Sequence, residues 1–424
     1  MGIAVAIVLV LLALLGTPLF TIVGSAAIVL FAFAGIDTQS VAVEMYRLAA
    51  NPFMLTIPLF TFAGFLMAES GTAGRIARLA RAGLGWLPGG LVLAVIGACT
   101  FFTTFSGASG VTIIALGGLF LPVLTAEGYP KKFAYGLATT AGSMGLLFPP
   151  SLPLLVYGMQ SKVDIDKLFI AGLLPGVVTI LALSIFGGVV SWRSGAKRTA
   201  FNAREFLGAV RETKWELLVP VIIFVGIFGG IVTVAEVAAI TAFYLLIVEV
   251  YVYKDLQLVR DMPRVIRKSM TLVGAILLIL SCALGLTNYL VDAEVPMKIF
   301  EVAQTYFTSK WTFLLALNVF LLMVGSILDI FSATFVVVPL IMPVAREVGI
   351  DPVHLAIIFI ANMQTAYLLP PAGMDLVVSS LAFNQPMTKM YRIALPFGLV
   401  MIASLLLITY VPWLSLGLLE FLGK

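Results

Sequence analysis

Charge is what this sequence has least of. Only 11% of its 424 residues are Asp, Glu, Lys or Arg, against about 25% in a soluble domain. No charged residue falls between Gly2 and Ile36, or between Leu87 and Ala126. Such runs exceed the ~20 apolar residues that cross a bilayer, which excludes a chain surrounded mostly by water. Histidine is almost missing, with His354 alone, and no acidic metal cluster or nucleophile–base pair stands out. A membrane-embedded enzyme therefore has little to work with. The two cysteines, Cys99 and Cys282, lie inside apolar runs without a metal-type spacing partner, so no disulfide framework is implied. The first apolar run lacks a basic n-region and is too long for a signal peptide, so it reads as retained membrane structure. The net charge of +4 is no nucleic-acid signal, because the positive residues gather at segment ends, as cytoplasmic loops require.

Hydrophobic residues, 61% of the chain, fill candidate spans at 53–69, 133–158, 168–192, 216–232, 234–253, 270–290 and 391–416. Further apolar material covers 3–34, 88–125, 311–344 and 353–384. The loop 193–214 holds Arg193, Lys197, Arg198, Arg204, Arg211 and Lys214 against Glu205 and Glu212. The loop 254–268 holds Lys254, Arg260, Arg264, Arg267 and Lys268 against Asp255 and Asp261. The positive-inside bias places both in the cytoplasm, and two spans walked back place Lys131 and Lys132 there too. Arg75, Arg78 and Arg81 recur at spacing three within 71–87, the pattern of an amphipathic helix lying in the interface. The run 88–125 returns to the side it came from, either as two spans or as a re-entrant hairpin. Its midpoint, Thr104-Phe-Ser-Gly-Ala-Ser-Gly110, favours the hairpin. Small, turn-prone residues suit a tip whose unpaired backbone is buried in protein or bound to a ligand.

The chain also repeats itself. A shift of 221 residues, the separation of Pro149 and Pro370, lays Pro122 on Pro343, Gly128 on Gly349 and Pro149-Pro150 on Pro370-Pro371. The same shift lays 53–69 on 274–290, 168–192 on 389–413, the arm 71–86 on 292–307, and 3–34 on 224–255, where two spans sit. So 3–34 reads as two short spans broken near Gly16-Thr17-Pro18. Five spans separate the hairpin regions, and an odd number sends the second hairpin, about 311–344, in from the opposite face. The expectation is an all-α polytopic membrane protein of two inverted repeats, 1–195 and 215–424, joined by a basic cytoplasmic linker at 196–214. Inverted repeats with discontinuous helices at the midplane mark secondary transporters. A channel fits paired inverted hairpins less well than alternating access does.

Ser106, Gly107 and Ser109 form the first tip; opposite lie Thr139-Thr-Ala-Gly-Ser-Met-Gly145 and Pro149-Pro150-Ser151. Two prolines mid-span break a helix and free its carbonyls. Carbonyls and hydroxyls suit a dehydrated cation, while half-helix N-termini suit an anion. The second half repeats the arrangement with Gly325-Ser-Ile-Leu-Asp329, Asn362-Met-Gln-Thr365 and Pro370-Pro371-Ala-Gly373. Asp329, a carboxylate in an apolar stretch, points to ion or substrate work. Asp375 suits either the site or a half-helix cap. Glu236 reads as structural at an outer turn, and His354 as a solvent-contacting loop residue. No Arg or Lys lies in the hairpin or Pro-Pro cores, so an anion would draw its positive charge from helix termini and bound cations.

These stretches resemble the large membrane subunit of the tripartite ATP-independent periplasmic (TRAP) transporters, the DctM-like family. The likeness rests on Ser106-Gly-Ala-Ser109, Pro122, Gly128-Tyr129, Gly142-Ser-Met-Gly-Leu-Leu-Phe-Pro-Pro-Ser-Leu-Pro153, Leu328-Asp329, Pro339 to Pro343, Gly349-Ile-Asp-Pro-Val-His354 and Pro370-Pro-Ala-Gly373. It covers essentially the whole chain. One departure is Met374-Asp375, where the family often has an asparagine nearby. The resemblance implies sodium-driven import of an organic anion, commonly a carboxylate, by an elevator mechanism with a scaffold and a transport domain. It also implies a separate four-helix membrane subunit and a periplasmic substrate-binding protein, in a bacterial or archaeal inner membrane, with no cofactor beyond sodium as coupling ion.

On this reading one sodium site takes Ser106 and Ser109 with backbone oxygens around Met144, Leu147 and Pro149. The other takes Thr365, Leu368 and Pro370 with Gly325 or Asp329. The anion is expected near Ser106, Ser143, Ser151, Asn362 and Asp375. Both termini are expected in the periplasm. The alternative is a stand-alone sodium/organic-anion symporter that needs no binding protein.

Overall fold

The computed structural model describes residues 17, 19–35, 37, 39, 43, 46, 52–87, 89–196, 200–295, 297, 298, 301 and 309–423. The elements among them are all helical. In the first half they are α1 (Leu19–Phe33), α2 (Thr56–Glu69), α3 (Thr72–Leu84), α4 (Gly90–Ser106), α5 (Ser109–Ala126), α6 (Lys131–Ala141), α7 (Leu152–Ser161) and α8 (Ile165–Ser194). Then come α9 (Ala203–Phe228), α10 (Val234–Ile247, prolonged by a π turn over Val248–Val252) and α11 (Met262–Asp292). The second half continues with α12 (Lys310–Gly325), α13 (Ile330–Glu347), α14 (Pro352–Ala366), α15 (Met374–Ala382), α16 (Met387–Tyr410) and α17 (Trp413–Phe421). Among the described residues, 6 helices are long and apolar enough to cross a bilayer. The expected break of 3–34 into two spans falls largely outside the described residues, as does most of the second arm, 292–307. The stretch expected as a linker at 196–214 is helical from Ala203 onward.

From the hairpins onward, among the described residues, the repeat matches α4–α8 to α12–α16. Shifting α5 by 221 residues lands on α13 with the same first and last positions. Pro149-Pro150 and Pro370-Pro371 are both cis, and Gly128 and Gly349 both take positive φ, 94° and 77°. The long apolar segment 133–158 is broken as the prolines require: α6 ends at Ala141, a 3-10 turn runs over Met144–Leu147, and α7 starts at Leu152. Ser151 restarts the helix by accepting a hydrogen bond from the Leu154 N–H at 3.3 Å, a cap worth about 1 kcal/mol.

The two hairpins enter from opposite ends. The base of the first lies at Tyr129, whose hydroxyl meets Ser191 at 2.9 Å. Nearby Phe133 contacts Phe397 of α16, ring centroids 5.5 Å apart. The base of the second lies at Trp311, which stacks on Tyr410, centroids 5.4 Å apart. From Phe397 to Tyr410 along α16 is about 20 Å at 1.5 Å per residue. One helix, with Pro396 inside it, thus runs from the mouth of one hairpin to the mouth of the other. The halves also interlock crosswise: α5 packs on α15, and α13 packs on α7.

Two expectations need correction. The arginine face of α3 is turned onto protein instead of lying free in the membrane interface. Arg75 contacts Glu216, reaches Asp255 at 2.6 Å and Glu249 at 3.1 Å, and stacks over Tyr253 at 3.7 Å. Burial alone would lower the affinity of this guanidinium for its proton, but Asp255 and Glu216 outweigh it and hold its pKa above the usual value. Arg78 pairs with Glu212 and Arg81 with Glu127, while Glu69 takes both Lys268 and Arg264. These pairs gather α3 and the loops 193–214 and 254–268 at one end of the molecule, as the basic-loop reading requires. The second correction is His354, which is buried in the first turn of α14. Its ring bonds to the Ser415 hydroxyl at 3.1 Å and the Thr409 carbonyl at 3.2 Å, partners that only the fold supplies. Glu236 is structural as expected, closing a capping box with Thr233.

Candidate functional site

Both hairpin tips open onto one cavity of about 200 Å³. The first tip contributes Gly107, Ala108 and Ser109, and the second contributes Asp329, Ile330 and Phe331. Leu146 and Tyr367 come from the two broken helices, Met374 from the start of α15, and Leu272, Ala275, Ile276 and Ile279 from one face of α11. Three helix N-termini, those of α5, α13 and α15, therefore border the same space.

Those three ends differ in a way that matters for charge. The α13 end is satisfied from within: Asp329 accepts from the Phe331 and Ser332 N–H groups at 3.0 and 3.1 Å, and the Tyr367 hydroxyl accepts from Ile330 N–H at 2.8 Å. The α5 and α15 ends carry Ala108 and Gly373 at their caps, with no side-chain acceptor. At α5 the first-turn N–H groups keep the positive end of the helix dipole available to an anion, whereas the first turn of α15 already carries the Asp375 carboxylate. Among the described residues, no Lys, Arg or His lines the cavity.

The first tip is shaped by backbone conformation. Gly107 adopts φ +62°, and a Cβ there would come within 2.4 Å of Leu152 Cδ1. Behind it, Thr103 Oγ1 donates to the Gly142 carbonyl at 2.6 Å, and Thr104 Oγ1 to the Gly145 carbonyl at 3.4 Å. These bonds hold α4 against the 3-10 turn, so Ser106 and Ser109 share a region with the segment that holds Met144, Leu147 and Pro149. At the second tip, Ala372 N–H donates to the Ser326 carbonyl at 3.1 Å, and Gly325 lies tight against Ala366 and Met363. Gly325 and Asp329 are thereby brought to the turn that holds Thr365, Leu368 and Pro370. Each of these two groups of residues lies near its own tip.

The residues expected for the anion are more scattered. Ser143 and Asp375 come together, with Ser109 beside them. Ser106 is buried with its hydroxyl unpartnered, next to the cavity wall. Ser151 is occupied as a helix cap. Asn362 bonds to Asn318 Oδ1 at 2.7 Å, and Asn318 bonds in turn to Thr409 at 3.1 Å. That chain fastens α12, α14 and α16 and lies outside the cavity wall. Reasoning from sequence missed Tyr367, Met374 and the α11 face. A signal for Tyr367 was present: it stands 221 residues after Leu146, and both line the cavity.

The sequence matches the profile of the Tripartite ATP-independent periplasmic transporter, DctM component, over residues 3–414. The chain belongs to this family. It is 33% identical over 400 residues to the C4-dicarboxylate TRAP transporter large permease protein DctM of Pseudomonas aeruginosa, covering 94% of this chain and 93% of that one. It is 35% identical over 400 residues to the isethionate TRAP transporter permease protein DctMQ of Oleidesulfovibrio alaskensis, covering 94% of this chain and 63% of that one. Its fold is similar to the crystal structure of the Alcanivorax borkumensis YdaH transporter, with a TM-score of 0.62 at 13% identity, covering 89% of this chain and 88% of the other. The TRAP large permease described here is thus a multi-pass membrane transport protein with an elevator-type fold.

Proposed function

We propose that this permease imports a small organic anion of the carboxylate class, C4-dicarboxylates being the leading candidates, across a bacterial inner membrane. Sodium drives the transport. A periplasmic binding protein delivers the substrate, and a small four-helix membrane subunit completes the assembly as a separate chain. The observation that carries this reading is the cavity between the hairpin tips. Its volume of about 200 Å³ lies below the ~300–1,000 Å³ of sites for drug-sized ligands, which suits a compact substrate. The uncapped α5 end supplies partial positive charge, and Asp329 supplies a carboxylate to hold a coupling cation beside the anion.

Neither the first sodium set (Ser106, Ser109, Met144, Leu147, Pro149) nor the second (Gly325, Asp329, Thr365, Leu368, Pro370) includes a cationic side chain that would compete with the ion. The anion belongs in the cavity, against Ser109, Tyr367 and Met374. A site with so few fixed charges binds weakly from bulk solution, and prior capture by a binding protein offsets that weakness. The test is uptake of labelled C4-dicarboxylate into proteoliposomes with sodium, small subunit and binding protein each omitted in turn. Uptake should require all three. Full-rate uptake without the binding protein would instead support a stand-alone symporter, and dependence on protons alone would remove sodium from the scheme.

A further inference from the structure

Asp375 stands apart from the cavity just described. Met374 lines the cavity, whereas Asp375 is fully buried and absent from its wall. Both carboxylate oxygens lack a hydrogen-bond partner, and no Lys, Arg or His is paired with them among the described residues. The hydroxyls of Ser109, at the first tip, and Ser143, ahead of the 3-10 turn, lie against the carboxylate without closing hydrogen bonds of normal geometry. Ser379, one turn along α15, is also buried with an unpartnered hydroxyl. Tyr367 is near enough to feel the charge.

A carboxylate buried without a counter-charge costs several kcal/mol, and at membrane depth such a group is by default a functional site. It must either be protonated or hold a cation. A proton needs one acceptor. Here a carboxylate meets hydroxyls from α5 and the α6 break, and Ser379, four residues on along the same helix, adds a third buried, unpartnered hydroxyl; together they offer oxygen donors for a hard cation. We infer that Asp375, Ser109, Ser143 and Ser379 form a third cation site, for sodium, that spans the two repeats.

This site shares Ser109 with the first set, but it differs from the two sets within single halves because its ligands come from both. An ion here would tie the first hairpin tip to the second half's half-helix. It would also fix Ser109 and the residue next to Asp375, Met374, both of which wall the substrate cavity. Sodium occupancy would therefore precede and shape anion binding. Asp375 then serves coupling and not substrate contact.

The inference rests on the sodium-coupled reading, and the experiment separates the two. The thermal midpoint of the purified full-length protein is followed as sodium replaces choline at constant ionic strength, alongside the sodium dependence of uptake. For Asp375→Asn, the half-saturating sodium concentration should rise at least about tenfold, and the Hill coefficient for sodium in uptake should fall by about one. Asp375→Asn should also lie above wild type in midpoint without sodium, since the uncompensated charge is gone. Should that variant fail to fold, Ser143→Ala and Ser379→Ala serve instead, each expected to weaken sodium binding while folding normally. A wild-type sodium response that persists unchanged in all three variants overturns the third site and leaves sodium coupling standing. A variant whose uptake loses its proton dependence instead assigns Asp375 to protons and overturns the sodium site. No sodium response even in wild type removes the sodium-coupled reading itself, and this site with it.

Discussion

The two halves of this permease share a frame but divide the chemistry unequally. Their hairpins, proline breaks and glycine turns superpose under a single shift of sequence. Yet where the first half has Ala108, Leu146 and Leu154, the second has Asp329, Tyr367 and Asp375. The inverted frame brings Ala108, Leu146, Asp329 and Tyr367 to the wall of a single cavity and buries Asp375 just behind it. Pseudo-symmetry therefore decides where functional groups sit, and departures from it decide what they do. The polar side chains of the second half supply fixed charge and capping. The first half supplies hydroxyls, from Ser106, Ser109 and Ser143, and an open helix end at Ala108.

The strongest way to break this comparison is to make the second tip like the first. Asp329→Ala removes the fixed charge and the cap of α13; sodium-driven uptake should fall by at least about a hundredfold, because an intramembrane carboxylate beside an ion path has no substitute. The lost cap adds about 1 kcal/mol of destabilisation. Uptake into proteoliposomes measures the first effect and a denaturation midpoint the second. If Ala108→Asp in the same molecule restored the wild-type rate, the halves would be interchangeable and the division of labour wrong.

A smaller effect is expected at Tyr367. Tyr367→Leu copies Leu146 and leaves the Ile330 N–H without its acceptor, a cost of about 1–3 kcal/mol. The apparent affinity for substrate should drop by about tenfold, with Tyr367→Phe showing that the hydroxyl, not the ring, is responsible. Titration of uptake against substrate concentration reads this out.

Gly107 sharpens the comparison from the other side. Its φ of +62° and the proximity of Leu152 make Gly107→Ala destabilising by about 1–3 kcal/mol, seen as a lower thermal midpoint. Its repeat partner Leu328 has no left-handed backbone, so Leu328→Ala should show no comparable strain. Smallest of all, Ser151→Ala should cost about 1 kcal/mol as a lost helix cap with uptake kinetics unchanged. A large change in substrate affinity there would return Ser151 to the binding site.

The parts of this molecule that could be read in the sequence are those fixed by covalent geometry. Proline cannot donate, so Pro149-Pro150 and Pro370-Pro371 had to interrupt their helices wherever the fold put them. The small residues at 106–110 had to turn. The repeat followed from the register of those same landmarks. What stayed hidden depends on partners distant in sequence. Arg75 looked like an interface residue because Glu216, Glu249 and Asp255 reach it only after folding. His354 looked exposed because Ser415 and Thr409 lie far along the chain. Asn362 gives its amide nitrogen to Asn318 while its carbonyl oxygen stays buried without a partner, and the α11 face is apolar like any other membrane-facing stripe until the hairpin tips close on it.

The cavity between the tips can be tested directly by protection from thiol labelling. Single cysteines are placed at Ala108, Met374 and Asn362 in a background without Cys99 and Cys282, and labelling rates are measured with sodium, with C4-dicarboxylate, and with both. Sodium and substrate together should slow labelling at 108 and 374 by about tenfold or more, while leaving 362 as it is without ligand. Unchanged rates at 108 and 374, with protection confined to 362, would place the substrate away from the hairpin tips and contradict the site proposed here.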